Sequence, residues 1–342
     1  MSRTRITVAG AGAMGLTAAL ALAEAGCTVT VFDPAPLAAN ASGMAAGMLA
    51  PAFEAALDPE ARDHFDLLLA ARNLWPALET RLGIDLDRGG ALAVGSDVHL
   101  ERSDRALRRL GLHPTVLPRR ALADLAPGLA PQWTSAILTR EDWRIDPARA
   151  LTLMRAAAEA LGVVFQARAA TGFEGADRLV IATGAGRDLG VVAPELARLH
   201  PIKGQLVRTR NGAYDGLMIR GEGAYAVPTP GGLTLGATME AGRDDTDIDP
   251  DRIAALKAVG MELFPALSAS IGDLAQAGVR AATPDGLPLV GRGRHHGVLL
   301  ATGARRNGWL LAPLAAKIIA ACVTEGEAGP YAGRLDPARF SA

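Results

Sequence analysis

The residues Gly10-Ala11-Gly12-Ala13-Met14-Gly15 spell G-x-G-x-x-G, directly after the apolar run Ile6-Thr7-Val8-Ala9 and directly before an Ala/Leu-rich stretch that reaches Gly26. Glycines at this spacing between a strand and a helix can cradle a diphosphate. Gly10 permits the sharp turn, Gly12 lets the backbone approach a pyrophosphate, and Gly15 lets the helix pack tightly on the strand, while the helix N-terminus offers its amides to phosphate oxygens. A second strand, Thr28 to Phe32, then ends at Asp33, an acid at about the 20-residue spacing that suits a group binding ribose hydroxyls. Strand, glycine turn, helix, strand and acid, in that order, point to dinucleotide binding.

The elements that must position such a site fit comfortably in 342 residues, enough for about two units of ~150 residues each. The apolar fraction of 49% suits a globular enzyme, and a net charge of -1 provides no broad basic field for nucleic acid or an anionic membrane. Three lysines stand against thirty-two arginines, so a single arginine says little by itself. Cys27 and Cys322 lie far apart and form neither a disulfide framework nor a C-x-x-C pair. His295-His296 are adjacent in a Gly/Arg-rich turn where their side chains diverge, so no metal site is expected. Ile6 to Leu22 imitates a signal peptide behind Arg3 and Arg5, but the glycine fingerprint explains it better, and a cytoplasmic protein is expected.

After Asp33 a loop leads to the small-residue run Gly43 to Pro51, which either lets a flat ring or phosphate lie on the backbone or starts a tightly packed helix. The spacing of Leu67, Leu68, Ala71, Leu74, Trp75 and Leu78 predicts one helical stretch over 58–82. From Gly89 the pattern changes to a short strand at 91–94, a charged helix at 99–110 and Pro-rich turns, the start of an insertion. Asp146-Pro147 opens the next helix and Gly162 ends it. Arg178 to Ala182 is a buried strand ending in Ala182-Thr183-Gly184. Segments at 205–208, 224–228 and 233–238 alternate with Gly/Pro turns as antiparallel strands. A helix at 249–263, a strand at 298–301 and a C-terminal helix ending near Val323 complete the chain.

Several later motifs, in order and spacing, resemble the D-amino-acid-oxidase-like superfamily of FAD enzymes and most closely its glycine oxidase branch. They are A-A-G-M-L-A-P at Ala45 to Pro51, P-I-K-G-Q at Pro201 to Gln205, Tyr225-Ala226-Val227-Pro228 and G-A-T-M at Gly236 to Met239. A-G-V-R at Ala277 to Arg280, T-P-D-G-L-P at Thr283 to Pro288 and R-N-G-W-L-L-A-P at Arg306 to Pro313 continue the likeness over nearly the whole chain.

The resemblance implies an α/β fold: a Rossmann-type FAD-binding domain over 1–86, 142–198 and 276–342, with an inserted α+β substrate domain, built on an antiparallel sheet, over 87–141 and 199–275. It places the diphosphate on Gly10, Gly12, Ala13, Met14 and Gly15, and the adenosine ribose on Asp33 beside Pro34. Ala41, Ser42, Ala46, Gly47, Met48 and Gly184 line the phosphates and flavin, and a backbone contact near Thr171 meets adenine. Ala304, Arg305, Arg306, Asn307, Gly308, Trp309 and Leu310 lie along the pyrimidine side of the ring, where reduction places negative charge. Arg280 pairs with an amino-acid carboxylate, Tyr225 donates a further hydrogen bond and Arg306 sits close by. Met239 lines the substrate pocket. The residues alone leave Arg280 open to reading as a surface ion pair, and Tyr225 and Met239 to reading as core.

The implied activity is oxidative deamination of glycine or a similar small amine or amino acid to the imine and oxo acid, with O2 reduced to H2O2. The imine would pass to thiazole synthase in thiamine biosynthesis. A homo-oligomer is compatible with this, and no membrane or nucleic-acid partner is implied. Three departures bear on it. Ala304-Arg305 stand where the family carries His and an aromatic, Gln276 where a Trp is common, and Thr229 where a basic residue follows Y-x-V-P. Arg305 is expected to turn outward to solvent, the other reading being an inward guanidinium at the substrate pocket and ring. Ala281-Ala282 replace the Cys by which sarcosine-oxidase relatives bond flavin, so the FAD is noncovalent. Competing readings are a D-amino-acid or imino-acid dehydrogenase with a non-oxygen acceptor, an NAD-dependent dehydrogenase, and a flavin-containing tRNA-modifying or RNA-binding module.

Overall fold

The computed structural model describes residues 3–210, 214–269 and 272–340. In chain order its strands begin with β1 Arg5–Ala9, β2 Thr28–Phe32, β3 Met48–Leu49, β4 Ala91–Ala93, β5 Thr115–Pro118 and β6 Ser135–Thr139. Then come β7 Trp143–Arg144, β8 Val164–Gln166, β9 Arg178–Ile181, β10 His200–Arg208, β11 Met218–Arg220 and β12 Tyr225–Thr229. The remainder are β13 Gly232–Gly236, β14 Glu240–Ala241, β15 Leu274–Ala282, β16 Leu289–Arg292 and β17 Val298–Thr302.

One sheet runs in the order β16-β17-β9-β1-β2-β8, parallel except for β16 at its edge. Parallel strands are covered on both faces, and β9 and β17 are accordingly near-continuous apolar runs, buried over Leu179–Ile181 and along the whole of Val298–Thr302. Helix α1 (Ala13–Glu24) follows β1 and buries nine residues. It packs on the C-terminal helix Gly308–Thr324, and the Thr17 hydroxyl reaches the Ala312 carbonyl at 3.2 Å. The close fit of β1, turn and helix requires the fingerprint glycines. Gly10 has φ +105°, and a Cβ on Gly15 would lie 2.0 Å from the Gly10 carbonyl oxygen.

The second sheet runs β14-β10-β13-β12-β11-β4-β6-β5, with β15 paired along the other side of β10. It was expected to be antiparallel throughout, but β4 and β11 pair parallel, because the chain leaves after β4 and returns to its flank from a different direction. β15 belongs to this sheet up to Ala282, so the expected change of domain between 275 and 276 falls inside a strand. The helical stretch over 58–82 is also broken, into a 3-10 turn at Arg62–His64, a helix at Phe65–Arg72 and another at Trp75–Leu82. Pro76 lies in the first turn of the last segment, where its missing N–H costs nothing, whereas inside one continuous helix it would remove a hydrogen bond. Between the sheets lie two short helices, α2 (Ala41–Met44) and α3 (Pro51–Leu57), with the small-residue run connecting them. The run closes α2, leads into the start of α3 at Pro51 and lines the cleft described below.

Two glycine variants separate backbone strain from crowding. Gly26 has φ +84° and open space where a Cβ would go, so Gly26→Ala should cost about 1–2 kcal/mol. Gly15→Ala, which puts a methyl against a backbone carbonyl, should cost clearly more in chemical denaturation; equal penalties would contradict the close helix–strand fit.

Candidate active site

The C-terminal ends of β1, β9 and β17 open on a cleft, and α1 and the helix Gly308–Thr324 both begin there. Gly12, Ala13, Met14, Ala41, Ser42, Ala46, Gly47, Met48, Gly184 and Ala304 to Trp309 line it. The atom-free space is about 1300 Å³, open to solvent. Gly12, the N-cap of α1, has no side chain to cap it, so apart from the Ala13 amide, which Ser42 takes, the first-turn amides of this helix are available to an anion. Ser42 ties the loop to this helix, its Oγ accepting from the Ala13 amide at 3.0 Å, while its carbonyl accepts from Trp309 Nε1 at 2.9 Å. Asn307, likewise without a side-chain cap bond, starts the second helix. Asp33 ends β2, and its carboxylate accepts from the Ala11 amide at 2.7 Å and the Ala35 amide at 2.9 Å. Pro34 beside it is exposed. Paired helix N-termini, a glycine turn no larger residue would fit and a carboxylate at the end of β2 together suit a dinucleotide such as FAD.

At the far end of the cleft stand Arg280 and Tyr225. The Arg280 guanidinium lies across Gly204, where a Cβ would be 2.2 Å from Nη1 and 2.4 Å from Nη2. The Tyr225 ring lies across Gly236, its register partner, where a Cβ would be 2.5 Å from the hydroxyl. Each of these side chains therefore occupies space that a glycine on the neighbouring strand leaves open. Arg280 Nη1 donates to the Thr238 carbonyl at 3.2 Å and touches Met239 Sδ at 3.3 Å. Among the described residues no carboxylate pairs with Arg280, and burial pulls its pKa down. The Tyr225 hydroxyl likewise has no partner among the described residues, and burial raises its pKa against the pull of Arg280 and other arginines.

The remaining arginines of the cleft are neutralised from α3. Glu54 is 5% exposed, with Oε1 on Arg220 at 3.0 Å and Oε2 on Arg306 at 2.5 Å. Asp58, on the residue after α3, accepts from Arg306 at 2.9 Å and from Arg305. Burial acts to raise the Glu54 pKa, but Arg306 and Arg220 outweigh it and hold the carboxyl at about 2. For Arg306, too, burial opposes the charge, and Glu54 and Asp58 reverse that and raise its pKa. The helix carrying both acids is anchored by Asp142, fully buried, which accepts from the amides of Ala52 at 2.7 Å and Phe53 at 3.1 Å. Sequence reasoning missed Glu54, Asp58, Arg220, Gly204 and Asp142. The signal for the first two was their i, i+4 spacing behind the Pro51 helix start, one face of a helix.

Other expectations need correction. Arg305 does not turn outward; its side chain is 12% exposed and ion-paired with Asp58 and Glu60. Those acids supply the partners that make burial of a second guanidinium beside Arg306 tolerable. Thr171 lies outside the cleft, and its amide is already donated to Glu174 at 2.7 Å. Leu310 is fully buried in the core rather than lining the cleft. Met239 is 40% exposed, so it is not core, and it meets Arg280 at the rim. Gln276, in place of a common Trp, accepts from Arg208 Nε at 2.9 Å, and Arg208 also donates to the carbonyls of Gly43 and Met44 at the end of α2.

Residues 5–322 match the family described as FAD dependent oxidoreductase, and the chain belongs to that family. FAD is the cofactor its members bind. Among curated proteins it is 28% identical over 371 residues to the glycine oxidase of Pseudomonas putida, covering 97% of this chain and 99% of that protein. It is 29% identical over 365 residues to the bifunctional protein ThiO/ThiG of Trichormus variabilis, covering 98% of this chain. It is 33% identical over 337 residues to the tRNA 5-methylaminomethyl-2-thiouridine biosynthesis bifunctional protein MnmC of Caulobacter vibrioides, covering 92% of this chain. The chain spans about half the length of the latter two, 55% and 54%. The crystal structure of glycine oxidase from Geobacillus kaustophilus superimposes with a TM-score of 0.83 at 24% identity, covering 98% of this chain and 99% of that one.

Removing the Glu54 charge should expose its role. Glu54→Gln leaves Arg220 without its carboxylate and Arg306 with Asp58 alone, and is expected to lose about 3–5 kcal/mol at neutral pH. Because the folded pKa of about 2 lies below the ordinary 4.5, the wild-type advantage is complete above pH 4.5 and fades as pH falls toward 2. Urea unfolding of both proteins across that range checks this; a gap independent of pH would contradict it.

Proposed function

We propose that this chain is an FAD-dependent oxidase of glycine or a similar small amino acid, acting in the cytoplasm. It would yield the imine, then the oxo acid, with O2 reduced to H2O2. The observation that carries the reading is Arg280, a guanidinium in the cleft without a protein carboxylate. Such a group binds a ligand carboxylate through two parallel hydrogen bonds, and the free Tyr225 hydroxyl can donate a third. The glycine oxidase and ThiO/ThiG relatives support the substrate class and a link to thiazole formation, with thiazole synthase as the acceptor of the imine. FAD, when bound, supplies the two-electron acceptor that takes hydride from the substrate Cα and delivers electrons to O2.

The protein's own residues need to bind, orient and keep charge balanced. Arg280 and Tyr225 fix the carboxylate end, and Gly204 and Gly236 keep those two side chains flat enough to leave room above them. The N-terminus of the helix Gly308–Thr324, uncapped by a side chain, offers its amides where negative charge develops in the reaction, and Arg305 and Arg306 beside it are held in place by Glu54, Asp58 and Glu60. None of these groups is a base for the substrate ammonium. Glu54 at about 2 holds its proton too weakly, and the Tyr225 phenol is pushed above its ordinary value. The amine therefore sheds its proton to solvent.

An amine panel on the purified holoenzyme, read by peroxide and oxo acid, tests the activity. Small carboxylate-bearing amines should give both products; oxo acid only with an artificial electron acceptor would indicate a dehydrogenase instead. The value of kcat/KM should rise with pH toward the substrate's own amine pKa, with no inflection from Glu54, whose carboxyl is held at about 2; Asp142, pushed up to about 7 by burial, titrates in this range but lies under α3 and acts only through that helix. Arg280→Ala should weaken substrate binding by about 2–4 kcal/mol while FAD stays bound, and unchanged turnover would overturn the orientation. Heat or acid should release the flavin intact as FAD, since no Cys stands at 281–282.

A further inference from the structure

Two motifs have no role yet beyond their glycines: P-I-K-G-Q at 201–205 and G-A-T-M at 236–239. They meet at Thr238. Its amide donates to the Gln205 carbonyl at 3.1 Å, its hydroxyl accepts from the Gln205 amide at 2.9 Å, and the same hydroxyl donates to Glu240 Oε1 at 2.7 Å. Glu240 is fixed in turn by Gln205 Nε2 at 2.8 Å, and Gln205 Oε1 accepts from the Asp249 amide, the N-cap of the helix Pro250–Leu263, at 2.8 Å. Gln205 is fully buried and Glu240 is 7% exposed, so these bonds are made away from water, where geometry is held tightly.

Thr238 leaves one group for other use, its carbonyl, and that carbonyl accepts from Arg280 Nη1. It is the only oxygen acceptor that the guanidinium has among the described residues, the other contact being the Met239 thioether. One corner of the guanidinium is thus tied to a carbonyl that cannot move, and the rest of the fork is left facing the cleft. Gly204, one residue before Gln205, provides the space in which the guanidinium lies.

We propose that Thr238, locked by Gln205 and Glu240, is a positioning residue for Arg280: it sets the plane and reach of the guanidinium and so the affinity of the site for a carboxylate. The proposal rests on the reading that Arg280 binds the substrate carboxylate. A free arginine side chain has several rotatable bonds and would lose more freedom on binding than one already tied at one nitrogen. The network therefore acts on carboxylate binding and not on the chemistry of the bound substrate.

The test uses the holoenzyme with Thr238→Val, which keeps the size and the carbonyl but removes the hydroxyl, and Arg280→Lys as reference. The readouts are KM and kcat for glycine, and the dissociation constant of acetate followed by the change in the flavin absorbance. Thr238→Val is expected to raise the glycine KM and the acetate dissociation constant about tenfold, with kcat within about twofold and flavin content unchanged. Added to Arg280→Lys it should have little further effect, because the two act on one group. If Arg280→Lys weakens acetate binding but Thr238→Val does not, the positioning role is wrong and the carboxylate reading stands. If neither variant affects acetate binding, the carboxylate reading fails and the positioning role with it. Glu240→Gln, which keeps an oxygen acceptor for the Thr238 hydroxyl, should fall between wild type and Thr238→Val; an effect on kcat alone would contradict the proposal.

Discussion

A guanidinium kept in a cleft without a protein carboxylate is costly, because burial strips its water and leaves its donors unpaired. Arg280 is in this state, and much of the surrounding architecture makes it sustainable. Gly204 gives it a flat bed, the Thr238 carbonyl takes one donor, and the cleft leaves the remainder open to solvent or to a ligand. The same cleft holds three further arginines, and each of those has acids. The contrast between neutralised and unneutralised guanidinium groups leaves Arg280 as the arginine of the cleft with no carboxylate partner among the described residues.

That division depends on α3. Glu54 and Asp58 face the cleft side of the short helix region, and the helix starts where it does because Pro51 suits its first turn and Asp142 caps its amides from 89 and 90 residues away. Arg305 fits the same scheme. With its partners Asp58 and Glu60 it forms a polar wall and adds no free charge to the pocket.

Much of this was legible in the amino-acid sequence where chemistry is local. The fingerprint glycines act on their immediate neighbours, and the apolar runs of β9 and β17 report burial directly, so the nucleotide-binding sheet and the glycine turn at its cleft are accessible from spacing, whereas the other lining residues are legible only through the resemblance. Arg280 and Tyr225 were legible only through resemblance, since in a chain with thirty-two arginines composition favours a surface pair. What was not legible is long-range pairing. Nothing near Glu54 in the chain shows that it meets Arg220 and Arg306, 166 and 252 residues away. For the same reason Arg305 was expected in solvent, because its acids lie far back in sequence. The break in the helix over 58–82 was not legible because apolar spacing continues across Pro76.

The most direct measurement is an experimental structure of the holoenzyme with glycolate, a carboxylate of the substrate's size without an amine. The account expects its carboxylate on the Arg280 guanidinium with the Tyr225 hydroxyl donating to it, and Arg220, Arg305 and Arg306 still paired with Glu54 and Asp58. A carboxylate seated instead on Arg305 or Arg306, with those acids displaced, would contradict it.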